Sequence, residues 1–211
     1  MATFKGNGVL TGMVGNLVIA NYKSGKAVLR KAPRERKFTE KQKQNWQRFA
    51  AVTALWKSFQ GSQVQEIWKV AGEGRRGINL FINANAPAFS AEGVITDPDR
   101  LHFSAGQLPL PHNLTAQRVT GDPAKLEVTW ENDEGTGLAR ADDELMMMAG
   151  SIEEPFRGFE TPKGWILIAT GAIRRDQSAM IQLPSADMQS VWLWFASEKR
   201  KLYSIDQFFK L

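Results

Sequence analysis

The stretch KSGKAVLRKAPRERKFTEKQKQNWQRFAAVTALWKSF (Lys23–Phe59) decides how the chain divides. Its first half is short and basic: between Lys23 and Lys43 nine Lys or Arg stand against only Glu35 and Glu40. Its second half places Trp46, Phe49, Val52, Trp56 and Phe59 three and four residues apart, the spacing of one helix face. Thr39-Glu40-Lys41-Gln42 has the form of a capping box, and Gly61 supplies the left-handed residue that closes a helix. A helix from Thr39 to about Gln60 is therefore predicted, with Trp46 and Trp56, joined by Trp68 further on, as the core of a small helical bundle.

Upstream, glycines at 6, 8, 12 and 15 alternate with apolar residues. Glycine costs about 1 kcal/mol per position in a helix but marks bulges and close approaches in strands. Leu17–Tyr22 and Lys26–Arg30 read as two strands of a hairpin around Lys23-Ser24-Gly25. A lone hairpin is marginal in water, so this glycine-rich basic arm, residues 1–37, is expected to be completed by neighbours. Gly15 followed by Gly25-Lys26 lacks the spacing of a phosphate-binding loop.

Downstream, Ser62-Gln63-Val64-Gln65 is a second capping box opening a helix with Val64, Ile67, Trp68 and Ala71 on one face. Gly72-Glu73-Gly74 ends it, and a third helix runs from about Arg76 to Ala86, with Ile78, Phe81, Ile82 and Asn85 together and Pro87 as its stop. Residues 38–96 thus form a helical module. Residues 97–112, with Leu108-Pro109-Leu110-Pro111, read as a linker carrying an edge strand near Leu101-His102-Phe103. From residue 113 the period shifts to two. Leu126, Val128 and Trp130 share a face, and further short runs at 144–149, 165–169, 179–183, 191–196 and 202–209 are separated by turns. The fold class expected is α+β in two modules: a hairpin arm with a small helical bundle, then a C-terminal antiparallel β-sandwich of fibronectin III or immunoglobulin type.

Composition limits the chemistry. The 211 residues contain no cysteine, which removes disulfides, thiolate nucleophiles and Cys-ligated zinc. No apolar run reaches the ~18 residues of a membrane span, and the start has glycines where a signal peptide needs an apolar segment. Production in the cytoplasm followed by incorporation in a particle is the expectation. Charge is uneven: residues 1–80 hold fifteen Lys or Arg against four Asp or Glu, while residues 97–211 hold twelve against seventeen. That asymmetry suits a polyanion, an acidic partner, or attraction between oppositely charged modules.

No catalytic, cofactor or metal constellation emerges. His102 and His112 lack further ligands at metal spacing and read as exposed linker residues. Asp142-Asp143-Glu144 with Asp133 and Glu134 could hold calcium, but the spacing of an EF-hand loop is missing and a solvated loop is the simpler reading. Glu153, Glu154 and Glu160 are carboxylates that nothing in the sequence brings together as an acid–base pair. Two other features point to association. Met146-Met147-Met148 places Met147 on the face opposite its neighbours, and Trp192-Leu193-Trp194-Phe195 is apolar on both faces of one strand, which demands cover beyond a simple sandwich. Met147, Trp192 and Trp194 are thus candidate contacts with the helices or with another subunit. Lys23, Lys26, Arg30, Lys31, Arg34, Arg36 and Lys37 are candidate contacts for nucleic acid or an acidic protein surface.

The run Leu10, Gly12, Gly15-Asn16-Leu17-Val18, then Lys26, Val28, Arg30-Lys31 and Pro33, then Gln44 and Gln47-Arg48-Phe49, resembles an uncharacterised bacterial family of unknown function, with related-looking proteins among phage and prophage genes. Trp56, Trp68, Gly77, Phe81 and Asn85 match its helical part, and Trp130, Val191–Ala196 and Tyr203-Ser204 its fibronectin-like part. The resemblance implies a non-enzymatic structural or assembly protein, a virion component, needing no cofactor and no small-molecule substrate. Its expected partners are other copies or other assembly proteins; nucleic-acid binding through residues 23–43 is the alternative.

Overall fold

A computed structural model describes residues 2–5, 9–21, 27–32, 38–73, 77–150 and 165–211. The chain is α+β and separates into two compact units, Met1–Glu40 and Lys41–Leu211.

The first unit is a four-stranded antiparallel meander: β1 (Ala2–Lys5), β2 (Val9–Val14), β3 (Leu17–Asn21) and β4 (Ala27–Lys31), hydrogen-bonded in that order. The predicted hairpin is its second half, with Leu17 opposite Lys31 and Ile19 opposite Leu29. The glycine-rich segment supplies the other half rather than a bare strand partner. Gly15 makes this possible: at φ +57° it opens the two-residue turn between β2 and β3, a conformation that favours glycine.

The second unit begins with three helices, α1 (Glu40–Ser58), α2 (Gln63–Ala71) and α3 (Gly77–Asn85). Gly61, at φ +78°, turns the chain between the first two. The capping box at Ser62 does not form. Its hydroxyl instead donates back to the Phe59 carbonyl at 2.7 Å, and the Gln65 amide donates to the Trp56 carbonyl at 3.0 Å. On α1, Val52 and Trp56 are buried, as is Phe59 just beyond its end, but Trp46 is 52% and Phe49 56% exposed. The predicted core stripe is therefore confined to the C-terminal half of the helix, because residues 41–49 include no buried position.

The remaining strands pair antiparallel and are short. β7 (Glu144–Gly150), β8 (Ile166–Ile173) and β10 (Ser190–Ser197) form one sheet, closed at its far edge by β11 (Leu202–Tyr203) and β12 (Gln207–Lys210), which both pair with β10. β5 (Thr115–Val119), β6 (Asp122–Thr129) and β9 (Ser178–Gln182) form a second.

Strands β7 and β10 of the five-stranded sheet are buried on both faces, and strand alternation sorts their side chains cleanly. Met146, Met148, Trp192, Trp194 and Ala196 join the helical core of Val52, Leu55, Ile67 and Phe81. Leu145, Met147, Ala149, Val191, Leu193 and Phe195 join Leu126, Val128 and Ile181 of the second sheet. Helices, five-stranded sheet and three-stranded sheet are thus consecutive layers of one unit. The proline-containing stretch contributes Leu101 and Phe103 to the first core and Leu108 to the second, all buried.

Candidate functional site

Of the predicted polyanion contacts, Arg30 and Lys31 lie on β4, an edge strand, and both are exposed. Adjacent strand residues point to opposite faces, so the two cations are not gathered on one surface. Lys23, Lys26, Arg34, Arg36 and Lys37 lie outside the described residues, as do Glu153, Glu154 and Glu160.

The apolar positions of this sheet are more informative. Leu17 is 41% exposed and Leu29 61% exposed; each is in register with a neighbour on the same face, Leu17 with Lys31 and Leu29 with Ile19. Met13, opposite Val18, is 49% exposed on the other face. Among the side chains described in this unit, none is buried. A sheet is stable when it buries a face against a second layer, and exposed edge strands with apolar faces are association surfaces.

Met147, Trp192 and Trp194 are all fully buried inside the second unit. The cover that the two-faced strand requires comes from the helices and the 101–103 segment on the tryptophan side, and from the second sheet on the Met147 side. Trp192 stacks on Trp165 at 5.2 Å and meets Phe103 edge-on at 4.9 Å and Phe208 at 5.1 Å. The indole N–H groups of Trp192 and Trp194 have no acceptor among the described residues, so packing alone holds these rings.

Two polar clusters organise the loops, and neither was readable in the sequence. Asp133 and Asp143, considered above as calcium ligands, converge instead on the buried guanidinium of Arg174. Arg174 also donates to the Pro109 carbonyl at 2.8 Å and lies over the Phe195 ring at 4.5 Å. Arg200 binds the other oxygen of Asp143. The counter-ion of the acidic cluster is an arginine pair, and no group of three or more metal-ligating side chains occurs among the described residues.

The second cluster centres on Asp206. Its carboxylate accepts from the backbone N–H of Phe103 at 2.5 Å and of Ser104 at 3.4 Å, and pairs with His102 Nδ1 at 2.9 Å. His102 is thus an anchor between residues 101–104 and the C-terminal strands rather than a free linker residue; His112 is exposed. The hydrogen bond to Asp206 raises the His102 pKa most, burial opposes it, and the carboxylate's charge adds to the rise. Asn85 completes the joint, accepting from the His102 N–H at 2.8 Å and donating to the His102 carbonyl at 3.0 Å. Asp206 lies 104 residues from His102 in sequence, so no local spacing could have paired them.

Among the described residues no helix is long and apolar enough to cross a membrane. Comparison with protein-family models, with curated proteins and with solved structures finds no match to this chain.

Proposed function

We propose that this chain is a non-enzymatic structural or assembly protein, a component of a phage virion or virion-like particle. The N-terminal unit serves as the anchor. The C-terminal sheets, read as a fibronectin III or immunoglobulin-like sandwich with helices added to one outer face, serve for lattice contact or display. The observation that carries this reading is the first unit's single sheet layer, with Leu17 and Leu29 exposed on one face and Met13 on the other. Such a sheet gains stability from whatever covers it, which is the thermodynamic basis of an anchor that orders on assembly.

Sedimentation velocity across a range of concentrations tests the reading. The wild-type chain is expected to associate, and Leu17→Ser/Leu29→Ser to shift towards monomer with the second unit still folded. A strict monomer at every concentration, alone and with co-expressed particle proteins, would count decisively against it. The exposure of Arg30 and Lys31 on an edge strand favours one second reading, nucleic-acid contact through residues 23–43. There, binding to DNA or RNA at low salt should weaken steeply with added salt and on charge reversal of Arg30 and Lys31; absence of binding at low salt removes this alternative.

A further inference from the structure

A cleft of about 480 Å3 opens in the second unit between α2, α3, the turn at residues 105–107 and the start of β11. We propose that this cleft is a binding site for a flat, mainly apolar small molecule bearing a hydrogen-bond-donating amine, a ligand that the assembly reading does not require.

Its room comes from small side chains. Ala71, Ala84, Ala105 and Gly106 line it, next to a core where Trp68 and Phe81 meet edge-on at 5.5 Å. Interiors are normally packed to near-crystalline density, so a lining this rich in small residues leaves space that neighbouring side chains do not fill. The walls are also held in place. A Cβ on Gly106 would fall 2.1 Å from the Tyr203 carbonyl oxygen, so the turn presses directly on the strand backbone. The Leu108 N–H donates to that same carbonyl at 3.0 Å, and the Trp68 indole donates to the Phe103 carbonyl at 3.2 Å. A pre-formed apolar cleft of this size with a few polar groups is the usual form of a small-molecule site.

The class of ligand follows from the lining. Trp68 and Tyr203 offer aromatic surface, with Val70, Leu80 and Leu202 around them, which suits a planar apolar body. At the mouth, Gln107 donates to the Glu73 carboxylate at 3.3 Å, a pair that presents acceptor oxygens. Lys201 also lines the cleft, but its ammonium lies 3.6 Å from Glu66. Burial raises the Tyr203 phenol pKa most, and the negative charges of Glu66 and Glu198 add to the rise. With the Glu73 carboxylate in the lining and Lys201 paired with Glu66, the polar groups favour a donor over an anion.

The test is a titration of the full chain with N-phenyl-1-naphthylamine, an apolar aromatic amine whose fluorescence rises on leaving water. Saturable one-to-one binding is expected, with methyl-resolved NMR showing shifts at Val70, Leu80 and Leu202. Ala84→Leu, which narrows the cleft, should weaken binding at least tenfold, while Leu17→Ser/Leu29→Ser in the first unit, at residues that do not line the cleft, should leave it unchanged. 1-Naphthylmethylamine should bind at least tenfold more tightly than 1-naphthoate. Non-saturable binding, or methyl shifts confined to other residues, overturns the site without reliance on any variant. So does full affinity in a folded Ala84→Leu protein. Equal or tighter binding of the naphthoate overturns the ligand class.

Discussion

Replacing Arg174 by methionine removes a guanidinium that is 0% exposed and in contact with two carboxylates. Removing one partner of a buried ion pair costs about 3–5 kcal/mol, because the remaining charge stays desolvated without compensation. The lower end of that range applies here, since Asp143 retains Arg200 and only Asp133, 8% exposed at its side chain, loses its ion-pair partner. Methionine also keeps apolar contact with the Phe195 ring that the guanidinium covered. The expected loss is about 3 kcal/mol, or roughly 6–12 °C in Tm for a unit of this size. Urea unfolding followed by tryptophan fluorescence measures it, and all seven tryptophans lie in the second unit, so the signal reports that unit. Arg175→Met, at the exposed neighbouring position, should stay within about 0.5 kcal/mol of wild type. Adding Asp133→Asn to Arg174→Met should restore about 1 kcal/mol by removing the orphaned charge. A loss below about 1 kcal/mol, or one no larger than that of Arg175→Met, would refute the assignment of Arg174 as the counter-ion of this loop.

The His102–Asp206 pair predicts a pH dependence of definite sign. Because the folded protein holds the His102 proton above the ordinary value near 6.5, its stabilisation is complete below that value and is lost as pH rises through the raised one. Wild type should therefore lose more stability than His102→Gln on moving from pH 6 to pH 8, and parallel profiles would remove the pair from the account. Phe103→Ala should cost about 3–5 kcal/mol, since Phe103 is fully buried and meets the rings of Phe59, Trp165 and Trp192 at 5.6, 4.8 and 4.9 Å. Phe49→Ala, at a position 56% exposed, should change stability by less than about 0.5 kcal/mol; comparable urea midpoints for the two variants would contradict the burial described for α1.

What was legible in the sequence was whatever repeats over short distances. The three helices follow from apolar spacing and glycine breaks, and the strands from alternation of period two. Met146-Met147-Met148 and Trp192-Leu193-Trp194-Phe195 signalled a strand buried on both faces, and the two cores divide at those residues. Single-sequence patterns failed where the decisive partner is remote. The α1 stripe could not reveal that Trp46 and Phe49 lie beyond the covered part of the helix. The capping box at Ser62 had the right letters, yet its hydroxyl finds a carbonyl one turn back. Asp133 and Asp143 read as part of a solvated loop because Arg174 and Arg200 are far from them in sequence, and Asp206 carried no signal because its partners at 102–104 are equally remote.

The two units differ in how they hold their own structure, and that difference bears on what the chain is built to do. The second unit has two cores sharing one sheet, so the helices and the outer strands stabilise the same wall from opposite sides. Losing either layer would expose one face of Trp192-Leu193-Trp194-Phe195, and the His102–Asp206 and Arg174 clusters tie down the loops that cross between layers. The first unit contains no tryptophan and no buried side chain among those described, while Leu29, the most exposed large apolar residue described there, stands on an edge strand beside Arg30. Hydrophobic stabilisation scales with area removed from water, at roughly 25 cal/mol per Å2. Leu17 and Leu29 leave such area exposed, so covering them would add stability to the first unit. That is why the self-association measurement tests the proposed reading most directly.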